Sequence, residues 1–461
     1  MKTMKIAYIG GGSKQWARSL MQDLALAEGI GGEVALYDID NASALRNLAI
    51  AQRIQDKPET KSHFTYTVAD SLAEALTGAD FVLMSILPGT FKEMRSDVHA
   101  PEKYGIYQSV GDTVGPGGVL RAMRTVPIYE EFARAIEANC PNAWVLNLTN
   151  PMSACVKALY DTFPGIKAFG CCHEVFHAQD FLCCVLKEMC GTEVKRNDIY
   201  TDASGVNHFT WITEAKYQDT DLLALLPEFM DRFYESGYYE NGPHDAWKTN
   251  TFAYGNRVKM ALFQRYGALA AAGDRHLVEF VNNRWFLEDP AMAQHWHFGL
   301  TTVDYREANQ AKQIADSIAM MEGTMEVPLA PSGEELVSLL QAIAGLKTVV
   351  SNVNMPNRGQ MPGLPMGTIV ETNCVFSNGQ VKPVTANPLP AAALALVQRN
   401  AANIDLTCEG IRERDLEKVF LAFMNQPLCD GLTWEQGQAL FHEMCENTKE
   451  YLAPYFPTLQ R

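Results

Sequence analysis

Two short motifs in the sequence carry residues that could do metal and proton chemistry. Cys172 and His173 follow an apolar run that ends at Gly170, and His208 lies in a second apolar segment after Gly205. A thiolate and an imidazole suit zinc, and a site completed by substrate oxygens and water could hold manganese. For a single cysteine and a single histidine, plain burial is the competing explanation. The motifs therefore predict a candidate metal site that needs further support.

A glycine triplet near the start of the chain indicates a nucleotide-binding loop. Gly10, Gly11 and Gly12, followed by Ser13, come after an apolar strand and before a helical pattern. Backbone N–H groups in such a loop can approach a pyrophosphate, and the helix dipole stabilises its charge. Gln15 stands where the third glycine of the usual fingerprint would fall, so a tight structural turn is the alternative.

Asp38 favours one form of the dinucleotide. It ends the second predicted strand, where a carboxylate can accept hydrogen bonds from both adenosine ribose hydroxyls and would repel a 2′-phosphate. The alternative is that Asp38 caps a helix that begins near Asn41. The sequence predicts NAD rather than NADP.

The elements that must position these residues alternate between strands and helices over the first 200 residues. The predicted strands are Lys5–Ile9, Val34–Tyr37, Phe64–Val68, Phe81–Ile86, Ala143–Leu148 and Ile166–Phe169. This alternation predicts an α/β fold with a Rossmann-type, doubly wound parallel sheet. Cys172 then lies at the carboxyl end of a strand, where such sheets place their ligand crevice.

After about residue 196 the pattern changes to mixed strands and long helices. We therefore predict an NAD-binding domain over 1–196, and an α+β catalytic, substrate and oligomerisation domain over 197–461. The run from Asn352 to Pro365 is rich in proline, glycine and asparagine, which predicts an irregular loop. A strand is predicted next, over Gly367–Glu371.

Composition excludes several classes of function. The chain has 461 residues, of which 47% are hydrophobic, and its 38 basic and 54 acidic residues give a net charge of −16. Such a charge disfavours nucleic acid and anionic membranes as partners. We expect neither an export signal nor a membrane-spanning segment. Eleven cysteines in such a chain predict reduced thiols and a cytoplasmic location.

Taken together, six motifs resemble those of the family 4 glycoside hydrolases. In chain order they are Gly10-Gly11-Gly12-Ser13, Leu36-Tyr37-Asp38, residues 111–118, residues 147–151, Cys172-His173-Glu174-Val175 and Gly205-Val206-Asn207-His208. The match runs to about Glu371. The resemblance implies a fold like that of lactate and malate dehydrogenases, bound NAD, a divalent metal that is usually Mn²⁺, and a role in carbohydrate metabolism.

The chemistry that the resemblance implies is redox elimination, which differs from the usual two-carboxylate mechanism of glycosidases. NAD⁺ takes a hydride from C3 of the sugar, and the ketone acidifies the C2 proton. A base removes that proton while the metal stabilises the negative charge on the C2 and C3 oxygens. The C1–O bond breaks, water adds at C1, and NADH returns the hydride.

The resemblance also implies roles for individual residues. Cys172 and His208 would ligate the metal. Asn150 would contact substrate hydroxyls near it, although a turn residue before proline is the alternative. Asp112 matches an acidic position close to the sugar, with loop capping as the alternative.

The resemblance also implies which residues transfer protons. Members acting on unphosphorylated sugars place an aspartate in the segment of the C2 base, so we predict Asp274, with helix capping as the alternative. His173 could donate a proton to the leaving-group oxygen. Arg275 could bind a substrate carboxylate bidentately, or form an ordinary ion pair.

The residues after Cys172 separate subgroups of the family. His173 stands where phosphoglycosidases tend to carry asparagine or aspartate, and the string ending in Glu174-Val175 resembles the α-galacturonidases. Glu174 could bind a substrate hydroxyl, orient His173 or pair with a cation. Alternatives are an α-glucosidase, α-galactosidase or α-glucuronidase of the family, and a 2-hydroxy-acid dehydrogenase. The expected partner is a small sugar or uronide, and a homodimer or homotetramer is expected by analogy.

Overall fold

The computed structural model describes residues 1–240, 243 and 245–460. Its strands are β1 (Lys2–Ile9), β2 (Ile30–Tyr37), β3 (Phe64–Val68), β4 (Phe81–Met84), β5 (Trp144–Asn147), β6 (Lys167–Gly170), β7 (Tyr200–Val206), β8 (Phe209–Tyr217), β9 (Thr220–Asp221), β10 (Leu269–Ala270), β11 (Val349–Pro356), β12 (Ile369–Ser377) and β13 (Gln380–Pro383).

The α-helices are α1 (Trp16–Leu26), α2 (Asn41–Gln55), α3 (Leu72–Leu76), α4 (Phe91–His99), α5 (Gly115–Asn139), α6 (Met152–Thr162), α7 (Glu174–Cys190), α8 (Leu226–Phe233), α9 (Arg257–Tyr266), α10 (Asp274–Leu277), α11 (Pro290–His295), α12 (Val303–Glu322), α13 (Leu336–Ile343), α14 (Ala391–Glu413), α15 (Leu416–Met424), α16 (Trp434–Asn447) and α17 (Lys449–Leu452).

The first six strands form the predicted doubly wound sheet. Their order is β3-β2-β1-β4-β5-β6, and every neighbouring pair is parallel. This order places the ends of β1 and β4 side by side at the switch point, where such folds bind nucleotides. The predicted fold class is confirmed, and each of the six predicted strands is present.

The sheet does not stop at the sixth strand. β11 pairs antiparallel with β6 through Asn354 and Gly170, and the sheet continues through β12, β7, β8 and β10. The predicted loop from Asn352 to Pro365 is therefore wrong at its start, since residues up to Pro356 belong to β11. Buried hydrogen bonds explain the difference, because the Asn352 side chain donates to Glu371 on β12 at 2.9 Å. The predicted strand at Gly367–Glu371 is confirmed as the start of β12.

Alternating side chains of β1 supply two cores, one on each face of the sheet. Ile6 and Tyr8 pack with the side of α1, α2 and α13, whereas Ala7 and Ile9 pack with the side of α5 and α6. The period of two along the strand produces this division. The predicted boundary at 196/197 falls between α7 and β7 and stays a prediction, since the sheet extends across it. Among the described helices, none has the length and hydropathy that a membrane span requires.

The glycine loop needs its first glycine for steric reasons. Gly10 has φ +88°, and a Cβ there would lie 2.0 Å from the carbonyl oxygen of Ser85. The N–H groups of Gly10 and Gly11 both donate to the Tyr37 carbonyl at 2.9 Å. The loop is thus held against the ends of β2 and β4.

Gly10→Ala should lower the free energy of unfolding by more than about 2 kcal/mol, because both the positive φ and the Ser85 contact oppose a Cβ. The matched control is Gly78→Ala, where φ is +72° and nothing lies within 4 Å of the added Cβ. That variant should lose only about 1 kcal/mol, the cost of the left-handed backbone. Urea unfolding measures both, and equal losses would contradict the steric role of Ser85.

Candidate active site

Cys172 lies in the short connection between β6, which ends at Gly170, and α7, which begins at Glu174. Burial raises the pKa of its thiol well above the usual value, and the nearby carboxylates of Glu371 and Glu174 raise it further. The side chain of Asn207 lies beside the thiol and works in the opposite direction. A bound cation would reverse the balance and favour the thiolate, which is the form that ligates metals.

His208 sits in the tight turn between β7 and β8, with φ 62° and only 5% exposure. Its Nδ1 lies 3.0 Å from Thr113 Oγ1, and its ring centroid is 4.0 Å from that of His276. Burial lowers the pKa of His208, so that the imidazole is neutral, as a metal ligand must be. Asn207, the residue directly before His208, has its side chain beside the Cys172 thiol. The turn that carries His208 therefore lies close to Cys172.

Two buried amide oxygens near these residues have no hydrogen-bond partner among the described residues. They are Oδ1 of Asn150 and Oδ1 of Asn207. Buried polar atoms are normally hydrogen-bonded, so each of these oxygens is a natural acceptor for a ligand hydroxyl or a cation. The backbone carbonyl of Asn150 accepts from Arg121 Nε at 3.1 Å, which fixes this segment against α5.

Asp112 lies among positive and imidazole groups in the loop before α5. Burial raises the pKa of Asp112, but Arg121, Arg306, His276 and His208 outweigh it and hold the pKa well below its usual range. Asp112 is therefore ionised. Its carboxylate also accepts a 2.8 Å hydrogen bond from Thr113 Oγ1, which links it to His208.

Three guanidinium groups lie close to this carboxylate. Burial lowers the pKa of the Arg306 guanidinium, and the nearby charges of Arg121 and Arg275 lower it further. The carboxylate of Asp112 acts in the opposite direction. Arg121 and Arg275 are 7% and 5% exposed. Nε of Arg275 has no hydrogen-bond partner among the described residues, and its guanidinium packs 4.8 Å from the Phe252 ring centroid. Nearby positive charge thus exceeds the single charge of Asp112.

Glu174 joins α7 to the segment before α10. One carboxylate oxygen accepts from the Gly273 N–H at 2.6 Å. The other lies 3.8 Å from a ring nitrogen of each of three histidines, His173, His177 and His276. Burial raises the pKa of Glu174, but His276, His177 and His173 hold it well below its usual range.

His173 contacts both α1, the helix after the glycine loop, and a residue in the second half of the chain. Its ring stacks on Trp16 of α1 at a centroid distance of 5.8 Å, and its Nδ1 is 3.1 Å from Glu334 Oε1. Burial lowers the pKa of His173, but Glu334 and Glu174 outweigh burial, so the pKa is raised overall. The glycine loop and the Cys-His motif are therefore neighbours, as their positions at one sheet edge predict.

Asp38 faces the glycine loop. Its two oxygens accept from Gly12 N and Asp40 N, each at 2.8 Å. The cap of α2 is instead supplied by Asp40, which accepts from the Ser43 N–H at 3.1 Å. The alternative in which Asp38 caps that helix is wrong, because Asp40 occupies the capping position.

Asp274 is fully buried at the start of α10. Its oxygens accept from Val258 N at 3.1 Å and Lys259 N at 3.0 Å, two of the donors that the first turn of α9 leaves unpaired. Burial raises the pKa of Asp274 to about 6, against the opposing charge of Lys259. The carboxylate supports α9, and the assignment of Asp274 as the C2 base stays a prediction.

Several buried residues of the site have no motif in the sequence. Glu279 accepts from the N–H groups of Val110 and Gly111, at 2.7 and 2.9 Å, directly before Asp112. Glu371 accepts from Thr210 Oγ1 at 2.8 Å, close to Cys172. Burial raises the pKa of both carboxyl groups to about 7.

The fold and the site together define a class: Rossmann-type enzymes in which a dinucleotide loop, a thiol–imidazole pair and buried acids share one edge of the sheet. The chain belongs to the family 4 glycosyl hydrolases. The model of the Family 4 glycosyl hydrolase matches residues 5–188, and that of the Family 4 glycosyl hydrolase C-terminal domain matches residues 203–429. The resemblance inferred from the six motifs is confirmed.

Similar proteins extend over nearly the whole chain. An alpha-galacturonidase of Thermoanaerobacterium saccharolyticum is 49% identical, covering 97% of this chain and 96% of that protein. One from Bacillus subtilis is 43% identical, covering 96% and 97%. The crystal structure of lplD from Bacillus subtilis, also 43% identical, has a TM-score of 0.92 and covers 96% of this chain and all of that chain.

Glu279 should make stability depend on pH. A raised carboxyl pKa means that the folded state holds the proton more tightly, so stability is full below about pH 4.5 and falls as pH rises through about 7. Glu279→Gln keeps an oxygen for the two backbone donors. It should remove up to about 3 kcal/mol of the decline in unfolding free energy between pH 4.5 and 7.5. Urea unfolding at both pH values measures this, with the exposed Glu59→Gln as control. Equal slopes in the two variants would contradict it.

Proposed function

We propose that the protein is an α-galacturonidase that releases galacturonate from α-linked galacturonides with the help of NAD and a divalent metal, Mn²⁺. The observation that carries the proposal is the 43–49% identity, over 96–97% of the chain, to proteins named alpha-galacturonidase. The proposal includes a cytoplasmic location and a homodimer or homotetramer. A reducing compartment fits the eleven cysteines, all of which are described and unpaired.

The residues fit both groups. Gly10, Gly11, Gly12 and Ser13 would lie against the pyrophosphate of NAD, with Asp38 at the ribose, because the three glycines let the loop pack tightly onto the ends of β2 and β4 just before α1, whose dipole favours a negative charge. Cys172 and His208 would ligate the metal, since Asn207 lies beside the buried thiol and directly precedes the neutral imidazole. When bound, NAD accepts a hydride from C3, and the metal stabilises negative charge on the C2 and C3 oxygens.

The chain's own groups would orient the sugar and move protons. Asn150, whose side-chain oxygen has no hydrogen-bond partner among the described residues, accepts a sugar hydroxyl. Asp112 accepts another, since its low pKa keeps it ionised. His173 donates to the leaving-group oxygen, and its raised pKa increases the cationic fraction that can do so. Glu174 positions His173 and the Gly273 segment.

The substrate carboxylate would bind the guanidinium cluster. Arg275, predicted for this role, is joined by Arg121 and Arg306, and their three charges outnumber the ionised carboxylates of Asp112 and Glu174 that act on them. A buried guanidinium is costly without an anion, whereas paired N–H groups bind a carboxylate bidentately. A neutral galactoside or glucoside would leave that charge uncompensated, which favours a uronide.

Digalacturonate should be cleaved when NAD⁺, Mn²⁺ and a thiol reductant are supplied, whereas maltose, melibiose and a simple glucuronide should be cleaved at least 10-fold more slowly. Chromatography of the released sugar measures the rates, and absorbance of NADH is followed in parallel. Turnover without net NADH supports the proposal. Cleavage of the neutral sugars alone, or net NADH matching product, would replace it with a neutral glycosidase or a dehydrogenase.

Arg275→Met should raise KM for digalacturonate 10- to 100-fold, because a hydrogen bond between charged groups contributes about 1.5–3 kcal/mol. Because the variant loses only a group that binds the substrate carboxylate, the rate of the slow cleavage of a neutral α-galactoside should change less than 2-fold. Arg284→Met, an exposed arginine nearby, is the matched control. Steady-state kinetics on both substrates test this, and an equal loss on the two substrates would remove Arg275 from carboxylate recognition.

A further inference from the structure

Three side chains at the start of α7 bring possible metal ligands together. His173, Glu174 and His177 each offer one ligand atom, and these atoms all lie within 4.8 Å of one another. Nε2 of His173 and Nδ1 of His177 are each 3.8 Å from the same oxygen, Oε1 of Glu174. Cys172 and His208, the metal ligands of the proposed function, do not belong to this group.

The first turn of α7 produces this arrangement. The N–H of His177 donates to the carbonyl of His173 at 3.2 Å, and residues four apart in a helix share one face. The two ring centroids are accordingly 4.8 Å apart. The second oxygen of Glu174 accepts the N–H of Gly273, which fixes the carboxylate and leaves Oε1 directed at the two rings.

The surroundings of His173 are those of a metal-binding imidazole. Its Nδ1 is 3.1 Å from Glu334 Oε1, and its ring stacks on Trp16. When Nδ1 donates to this carboxylate, the lone pair of the ring lies on Nε2, the atom that faces Glu174. Histidines that bind metals almost always donate their other N–H in this way. Glu174 and Glu334 also supply two negative charges, which match a divalent cation.

The ligand set suits zinc. Two imidazoles and one glutamate hold Zn²⁺ in several enzymes, with water as the fourth ligand. Bond lengths of about 2.0–2.1 Å place tetrahedral ligand atoms about 3.3 Å apart, so each nitrogen would move inward by about 0.5 Å. The His177 side chain is 47% exposed, which leaves it room to move and opens the group to solvent. Nitrogen and oxygen ligands generally bind Zn²⁺ more tightly than Mn²⁺.

We infer that His173, Glu174 and His177 form a second metal site, which binds Zn²⁺ and is distinct from the pair of Cys172 and His208. Binding at this site does not require the proposed function. Its consequence rests on that function, because the ion takes the place of the proton on Nε2 of His173. That proton could then no longer pass to the leaving-group oxygen, so the bound ion inhibits cleavage.

The first experiment counts the ions. The metal-free chain is titrated with Zn²⁺ in competition with a chelating dye, and the wild-type chain should bind two ions. Cys172→Ser should keep the second site. His177→Gln removes a ligand and Glu334→Gln removes the charged partner of His173, so each should weaken one of the two sites by about 10- to 100-fold. His442→Gln, which changes an exposed histidine on α16, is the matched control and should bind as the wild-type chain does.

Co²⁺ in place of Zn²⁺ shows which site each variant has lost. A thiolate ligand gives a sulfur-to-cobalt charge-transfer band, whereas imidazole and carboxylate ligands give only the visible d–d bands. His177→Gln should keep the charge-transfer band and lose part of the visible absorbance, and Cys172→Ser should show the reverse. The inference is overturned if the wild-type chain binds one ion that Cys172→Ser abolishes. It is also overturned if both His177→Gln and Glu334→Gln bind the second ion as tightly as the wild-type chain.

The inhibitory consequence is tested on digalacturonate with NAD⁺ and an excess of Mn²⁺. The Zn²⁺ concentration that halves the rate should be at least 10-fold higher for His177→Gln than for the wild-type chain and His442→Gln, each compared with its own rate without Zn²⁺. Equal sensitivity of the three would overturn the inhibitory role. Failure of the wild-type chain to cleave digalacturonate rejects the proposed function instead, and the ion counts, which need no substrate, still decide whether the second site exists.

Discussion

The site depends on one buried carboxylate, that of Glu174, because it holds together two parts of the chain that are 99 residues apart. It lies at the first residue of α7, where the helix dipole favours a negative charge, and it binds the N–H of Gly273. The same carboxylate faces His173, His177 and His276. The segment that carries Asp274 and Arg275 is thereby fixed relative to the Cys-His motif. Loss of Glu174 would remove this link between the two segments.

Environment, rather than residue type, separates the roles of the buried acids. Asp112 lies among guanidinium and imidazole groups and stays ionised, whereas burial raises the pKa of Glu279 and Glu371 to about 7. Ionised acids can orient hydroxyls, and neutral ones can hold backbone loops without adding charge to the site. A low-dielectric pocket in which three guanidinium groups outnumber two ionised acids, Asp112 and Glu174, can admit an anionic sugar. The same pocket would repel that sugar if all of its acids were ionised.

Local patterns in the sequence predicted the parts of the structure that depend on local physics. The six parallel strands and the glycine loop follow from apolar runs and turn residues, and the Cys-His motif follows from its place after a strand. Glu279 and Arg306 could not be found in this way, since each is a single polar residue in a helical stretch and gains its role from contacts across the fold. The run after Asn352 looked irregular because its buried amides are polar, yet they pair with Glu371 inside the sheet. Asp274 also has a capping role, but for α9, which precedes it in the chain.

The motif Cys172-His173-Glu174-Val175 predicts the substrate class by resemblance. The contacts of Glu174 give that prediction a physical reason. Glu174 does not need to touch the substrate carboxylate to influence which sugar is accepted. By binding Gly273 it sets the backbone two residues before Arg275, whose Nε has no hydrogen-bond partner in the part of the chain that the structure describes. A serine or glycine at this position could not reach Gly273 with a charged oxygen. The arginine segment would then be free to move, and its charge would no longer be held where a uronide carboxylate would meet it. Specificity for a uronide would thus depend on a carboxylate that positions a cation, and the geometry for C2 deprotonation would depend on the same bond.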